Sequence, residues 1–215
     1  DLGPYDATAG QRPWTDFAKG DDCTNANCDR RGAYLTAATD LLISDLEEMA
    51  AAWASEGEAR ASIMQDQDGV NRILTGMGSL SYGELAGQRM KLGLMLHDPE
   101  EEHDCFSDNT HNSHYYNAKG IRNVYLGEYE RIDGTTMTGP SLASLVEGTA
   151  PEVNSTLKTD LETTEAKLRV LVESAENGEA FDQLIGPDNS EGQEKVRAAI
   201  AALVQQLDQP PTVEA

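Results

Sequence analysis

All four histidines of this chain, His97, His103, His111 and His114, fall in one stretch, HDPEEEHDCFSDNTHNSHYY, running from His97 to Tyr116. Six carboxylates share it: Asp98, Glu100, Glu101, Glu102, Asp104 and Asp108. No Lys or Arg occurs between Lys91 and Lys119. Imidazole and carboxylate together suit iron, zinc, manganese or copper, whereas carboxylates alone suit calcium or magnesium. The spacing is less informative than the composition. No H-E-x-x-H is present, so the helical zinc-protease motif is missing. His97 and Glu100 form an H-x-x-E, but Pro99 between them disfavours a helical conformation at Asp98. A Ser-His-Asp triad drawn from Ser107, His103 or His111, and Asp108 fails on geometry, since adjacent Ser and Asp cannot readily flank one imidazole.

A purely structural reading fits the same residues. Ser107, Asp108 and Asn109 are ordinary N-cap types for a helix that follows them. Such a helix start presents free N–H groups and suits an anion or a carboxylate. Phe106 is the one large apolar group there and is expected to pin the loop to a core. On residue chemistry alone a metal site and a capped helix start remain open. Elsewhere, Asp66, Asp68 and Gly69 begin like a calcium loop but lack the rest of that pattern. Glu84 and Arg89 read as a surface pair, unless a bend turns them toward the polar stretch. Asn154-Ser-Thr is a glycosylation sequon with no meaning in a bacterial source.

The elements that must carry these groups are helical. Tyr34, Ala38, Leu41, Leu42, Leu46, Met49 and Trp53 recur at steps of three and four, one face of a helix ending near Gly57. A second helical region, about Asp68 to Leu96, contains Gly76, Gly78, Gly83 and Gly87 and is expected to be broken or kinked, because each interior glycine costs about 1 kcal/mol against Ala. Tyr115, Ile121, Val124, Tyr125 and Tyr129 repeat the helical step. SLASLV reads as a short helix, and RIDGTTMTGPS as a turn-rich loop. Thr149 to Glu152 and Ser190 to Gln193 both fit capping boxes. They open helices with clean apolar stripes, Val153 to Leu171 and Val196 to Leu207. No segment alternates with period two. The class is therefore all-α, an up-and-down helical bundle. The expected organisation is an extended arm or loop over 1–29, a helical bundle over 30–209 and a tail over 210–215.

Composition limits the function. The 215 residues are 39% hydrophobic, enough for a real core in one domain or at most two. No run is long enough to cross a membrane as a helix. The formal net charge of −22 repels nucleic acid and anionic surfaces and attracts cations, so no nucleic-acid partner is expected. The chain opens at Asp1 without Met, and is expected to be a processed protein or a fragment. Cys23 and Cys28, in CTNANC, can close a local disulfide or ligate a metal. With no second close pair to complete a zinc ribbon, the disulfide is expected, and with it an oxidising compartment.

EEEHDCFSDNTH, followed by YYNAKGIRNVYLGEY and GPSLASLV, resembles the imelysin-like proteins, as do GSLSYGELAGQRM and RPWTDF with CDRRGAYLTAATDLL. The resemblance covers nearly the whole chain. It implies an all-α fold of two related bundles with a site between them. It also implies a periplasmic or outer-membrane-attached bacterial protein, tied to iron uptake or acting as a metallopeptidase. The family's G-x-H-x-x-E motif is absent, since Met95 stands where the glycine would precede His97. The chain therefore resembles the C-terminal portion of such a protein. Its implied partners are a metal ion or metal-bearing small ligand, and a missing N-terminal half or second chain. The resemblance implies iron or another transition metal held by Glu102, His103 and His111, with Glu84, Arg89, Ser107, Asp108 and Asn109 lining or orienting the site. Three functions follow in order of expectation: iron capture in the envelope, imelysin-type metallopeptidase activity, and a non-catalytic interaction module.

Overall fold

The computed structural model describes residues 13–105 and 107–207. The expected tail at 210–215, residues 1–12 of the expected arm and the Phe106 anchor lie outside these. The chain divides into two compact units, Asp1–Leu74 and Thr75–Ala215.

In the first unit, a 3₁₀ turn at Trp14–Phe17 packs on helix α1, Cys28–Trp53. Asp16 fastens this contact. It is 1% exposed and accepts from Thr24 Oγ1 at 2.9 Å and Asn25 Nδ2 at 2.6 Å. Its backbone carbonyl accepts from Arg31 Nε at 2.9 Å. Cys23 and Cys28 are joined by a disulfide across Cα atoms 5.8 Å apart. Short helices follow at Glu58–Gln65 (α2) and Gly69–Gly78 (α3). The Asp66 segment is an ordinary turn: Asp66 accepts from the Asp68 N–H and pairs with Arg72 at 2.6 Å.

The second unit is a helical bundle, and the all-α class holds. The glycine-bearing region does not break. Helix continues from α3 through a π-helical stretch, Ser79–Lys91, into α4, Leu92–Leu96. The glycines are thus absorbed by a change of winding, a known feature of functional or strained helices. Helices α5 (Thr110–Leu126), α6 (Leu142–Thr149), α7 (Pro151–Glu176), α8 (Phe181–Leu184) and α9 (Ser190–Gln205) complete it. α7 packs against α5 and α9, and the π-helix against α9 and α5. The core unites Leu85 and Met90 of the π-helix, Tyr115 of α5, Leu168 and Leu171 of α7, and Phe181, Leu184, Val196 and Leu203.

Three local expectations are corrected. α5 stops at Leu126 because Gly127 takes a left-handed turn at φ 64, where a side chain would strike the Gly139 carbonyl at 2.9 Å. Tyr129 therefore belongs to a small antiparallel hairpin, β1 (Glu128–Glu130) with β2 (Thr136–Thr138), and not to the helix. The N-cap of α7 is Ala150 with Pro151 next, and Thr149 instead donates back into α6. The N-cap of α9 is Asn189, whose side chain accepts from the Gly192 N–H at 2.8 Å. Asn154 is buried against Tyr125, whose hydroxyl donates to it at 2.8 Å, so the sequon is structural.

Candidate metal site

The polar stretch begins where α4 ends. His97 adopts φ 54, and its Nδ1 lies 2.7 Å from the Ile185 carbonyl oxygen, tying the turn to the residue after α8. Asp98 then caps a 3₁₀ turn, Pro99–Glu101, by accepting from the Glu100 N–H at 2.9 Å. Gly93 permits the close approach, since a Cβ there would sit 3.2 Å from Ile185 Cδ1. These contacts carry Glu102 inward beside α8. Asp104 next clamps the loop to the start of α5. Its N–H donates to Thr110 Oγ1 at 2.9 Å, and its carboxylate accepts from the Ser113 hydroxyl.

Three carboxylates converge: Glu102, Asp108 and Asp182 each bring one oxygen within 4.8 Å of the others. Glu102 is 8% exposed, Asp182 half-buried and Asp108 exposed. Asp108 reaches this position from a left-handed backbone at φ 52. Burial pushes the Glu102 carboxyl up to about 7. The Thr110 hydroxyl bond opposes that rise, and the charges of Asp182, Asp108 and Asp104 add to it. Asp108 is also raised, by burial and then by Asp182, against a downward pull from His111. Glu102 Oε2 is buried with no hydrogen-bond partner among the described residues. No Lys or Arg pairs with any of the three among the described residues. Mutual repulsion and an orphaned buried oxygen are what a cation would relieve. The donor set is all oxygen and suits a hard ion.

The imidazoles are arranged otherwise. His103 is exposed, and His111 is half-buried with an unpartnered Nδ1. Burial lowers the His111 pKa, while Asp108 and Glu176 pull it up. Neither imidazole joins the group of converging oxygens. His114 is fully buried, edge-on to Phe181 with centroids 4.9 Å apart. Both its ring nitrogens lack partners, and burial, then His103, Arg89 and His111, push its pKa down to about 3. It is a neutral core imidazole.

Of the remaining expected site residues, Glu84 and Arg89 pair at 3.0 Å with Glu84 largely exposed. Ser107 donates to the Asp104 carbonyl at 3.2 Å. Asn109 occupies the N-cap of α5 without a capping bond, and its Oδ1 accepts from Asn112 at 2.8 Å. Asp182 was not legible as a site residue, because FDQLI reads as a short apolar cap. Its one signal is a lone carboxylate in the otherwise uncharged stretch AFDQLIG.

A helical bundle in which a buried Glu102 converges with Asp108 and with Asp182 of α8 defines an all-α protein with an acidic cluster that could hold a metal ion. Residues 4–209 match the model of the imelysin family, which carries a peptidase designation, and the chain belongs to that family. No curated protein matches the sequence. No helix among the described residues is long and apolar enough to cross a membrane.

Proposed function

We propose that this chain is an imelysin-type protein of the bacterial envelope that takes up a metal ion, iron in the first instance, at Glu102, Asp108 and Asp182. The observation that carries the reading is the buried Glu102 carboxylate, its Oε2 unpartnered among the described residues, in one group with two further carboxylates. Ferric iron is a hard cation and fits an oxygen-only set. Three carboxylates leave coordination positions for water, for a metal-bearing small ligand, or for donors from the N-terminal half that the family resemblance implies or from a second chain. The Cys23–Cys28 disulfide supports an oxidising compartment. His111 acts on this cluster electrostatically, through Asp108.

Titration calorimetry with ferric citrate, and with manganese for comparison, tests the reading. Saturable binding is expected, weakened about a hundred-fold, or about 2.7 kcal/mol, by Glu102→Gln or Asp182→Asn. Unchanged affinity in both variants would sink it. A peptidase reading has one observation in its favour: a Glu102 carboxyl near 7 suits a general base at neutral pH. It requires a bound metal with an open position besides. Chelator-sensitive cleavage of a fluorescent casein, abolished by Glu102→Gln, would favour that reading over simple capture.

A further inference from the structure

A groove of about 710 Å³ runs within the second unit, between the π-helix with α4 on one side and α9 on the other. Its walls are antiparallel. At one end the Ser81 hydroxyl donates to the Leu203 carbonyl at 3.0 Å. At the other, the turn after α8 holds both walls: His97 Nδ1 lies 2.7 Å from the Ile185 carbonyl oxygen, and Gln193 Nε2 donates to the Gly186 carbonyl at 2.7 Å. Tyr82 and Gly83 therefore lie across from Val204, and Lys91 and Leu94 across from Arg197. Arg197 and Val204 are seven residues apart, about 10 Å along α9. Ala86, Ile200 and Ala201 give the middle an apolar floor. The cations thus stand together at one end, and the other end is apolar and aromatic.

The charge of this groove is contrary to that of the molecule. No Asp or Glu occurs from Leu85 to His97 or from Lys195 to Leu207, the segments that carry most of the walls. With 38 acidic residues in 215, about four or five would fall there by proportion. Glu84, just outside, is taken up by Arg89 at 3.0 Å. Lys91 makes no ion pair among the described residues, and Arg197 donates to the neutral side chain of Gln193 at 3.0 Å. Gly83 is a second sign of an occupant. Its backbone is ordinary right-handed helix, and a Cβ there would meet nothing within 4 Å, so no contact inside the molecule requires a glycine. An interior glycine costs a helix about 1 kcal/mol against Ala. What the missing side chain leaves is space on the groove wall.

We infer that this groove binds a free amphipathic carboxylate, a single aliphatic chain with its carboxylate at Arg197 and Lys91 and its tail laid over Ala86 and Ala201 toward Tyr82. The planar guanidinium of Arg197 suits a carboxylate, and Lys91 adds a point charge beside it. Burial of the chain supplies most of the affinity, and the cations fix its direction. The volume falls in the range of small-ligand sites, about 300–1,000 Å³. Charges gathered at one end match a ligand with a single head. The net charge of −22 opposes docking on an anionic membrane, so the occupant is the free acid. The inference stands apart from the metal reading, since no residue of the carboxylate cluster lines the groove.

Calorimetric titration of the intact chain with decanoate, kept below its micelle concentration, tests it. One saturable site is expected. Lys91→Gln and Arg197→Gln should each weaken it about ten-fold, the loss of a charge-assisted bond. Gly83→Leu puts a side chain where the tail lies and should abolish binding. All three positions are exposed, and unchanged far-UV circular dichroism confirms that the variants fold. A diazirine-bearing fatty acid should label residues 82–95 and 197–204. Absence of saturable binding overturns the inference, as does an affinity untouched by both charge changes or by Gly83→Leu. Equal binding of decyltrimethylammonium overturns it too, since the groove would then be an apolar patch indifferent to charge. Label confined to residues before Thr75 would place the site on the exposed side chains of the first unit instead. A dimer in sedimentation velocity that Gly83→Leu dissociates and decanoate does not would give the groove to a second copy. Binding to phosphatidylglycerol vesicles that Arg197→Gln abolishes, with none of free decanoate, would give it to a membrane surface.

Discussion

Glu102 and His114 are both buried titratable groups, and they pull stability in opposite directions with pH. The Glu102 carboxyl rises to about 7 in the folded state from an ordinary 4.5. Between those values the native protein holds a proton that the unfolded chain has released, so stability falls as pH rises from about 4.5 to about 7. Glu102→Gln removes that slope. In metal-free buffer the variant should match wild type near pH 4 and exceed it at pH 8 by about 1–3 kcal/mol in urea melts. Added metal should reverse the ranking, since only wild type gains binding energy. His114 behaves inversely. Its folded pKa of about 3 lies below the ordinary 6.5, so stability is full above 6.5 and is lost as pH falls. His114→Phe keeps a ring against Phe181 and orphans no further group. It should flatten the acid limb, with a gain approaching about 3 kcal/mol near pH 4. Wild type alone will show a nearly level profile between 4.5 and 6.5, because the two slopes offset there; the single variants expose each. At this scale the sequence disclosed Glu102 and Asp108, which lie in one conspicuous run. It did not disclose Asp182, whose approach depends on the Gly93–Ile185 contact and the His97 bond to the Ile185 carbonyl. A contact between residues some eighty positions apart leaves no periodic trace. His114 shares the same run with three other histidines, and its burial emerges only from the packing of α5 on Phe181.

The elements were more legible than the joints between them. Apolar residues at helical steps located α5, α7 and α9, because burying such a stripe is the main source of helix stability in a folded protein. Caps and winding were less legible, since Asn189 and Ser190, or Thr149 and Ala150, are near-equivalent in sequence and differ only in which backbone N–H they meet. Thr164 was counted in the apolar stripe of α7. In the structure it belongs to a buried polar chain: its hydroxyl donates to Gln206 Oε1 at 2.8 Å, and Gln206 Nε2 donates to Ser81 Oγ at 2.6 Å. The Ser81 hydroxyl in turn donates to the Leu203 carbonyl at 3.0 Å. This chain of bonds joins α7, the end of α9 and the π-helix where the winding changes. Gln206→Leu removes the central member and leaves the hydroxyls of Thr164 and Ser81 without it. A loss of about 2 kcal/mol is expected, the cost of unsatisfied buried polar groups. Gln206→Glu should cost more above neutral pH, since it buries a charge with no cation beside it. Thermal melts of the two variants at pH 6 and pH 8 separate lost bonds from added charge.

At the scale of the whole molecule, the division into two compact units has a direct optical consequence. Both tryptophans, Trp14 and Trp53, lie in the first unit, whereas helix is distributed over both. Tryptophan fluorescence therefore reports the unfolding of residues before Thr75, and far-UV circular dichroism reports the sum. The first unit buries little: Cys28 is the one residue of α1 fully out of solvent, and Asp16 with its bonds to Thr24 and Asn25 supplies much of its cohesion. The second unit holds the principal core. The fluorescence midpoint in urea should accordingly precede the dichroism midpoint, a departure from two-state behaviour. The Cys23–Cys28 bridge closes a short loop, for which chain entropy gives about 2 kcal/mol. Reducing it, or substituting Cys23→Ser with Cys28→Ser, should move the fluorescence transition to lower urea and leave the later transition in place. Gln206→Leu should do the opposite. Coincident transitions that shift together under both changes would show instead that the chain unfolds as one cooperative body.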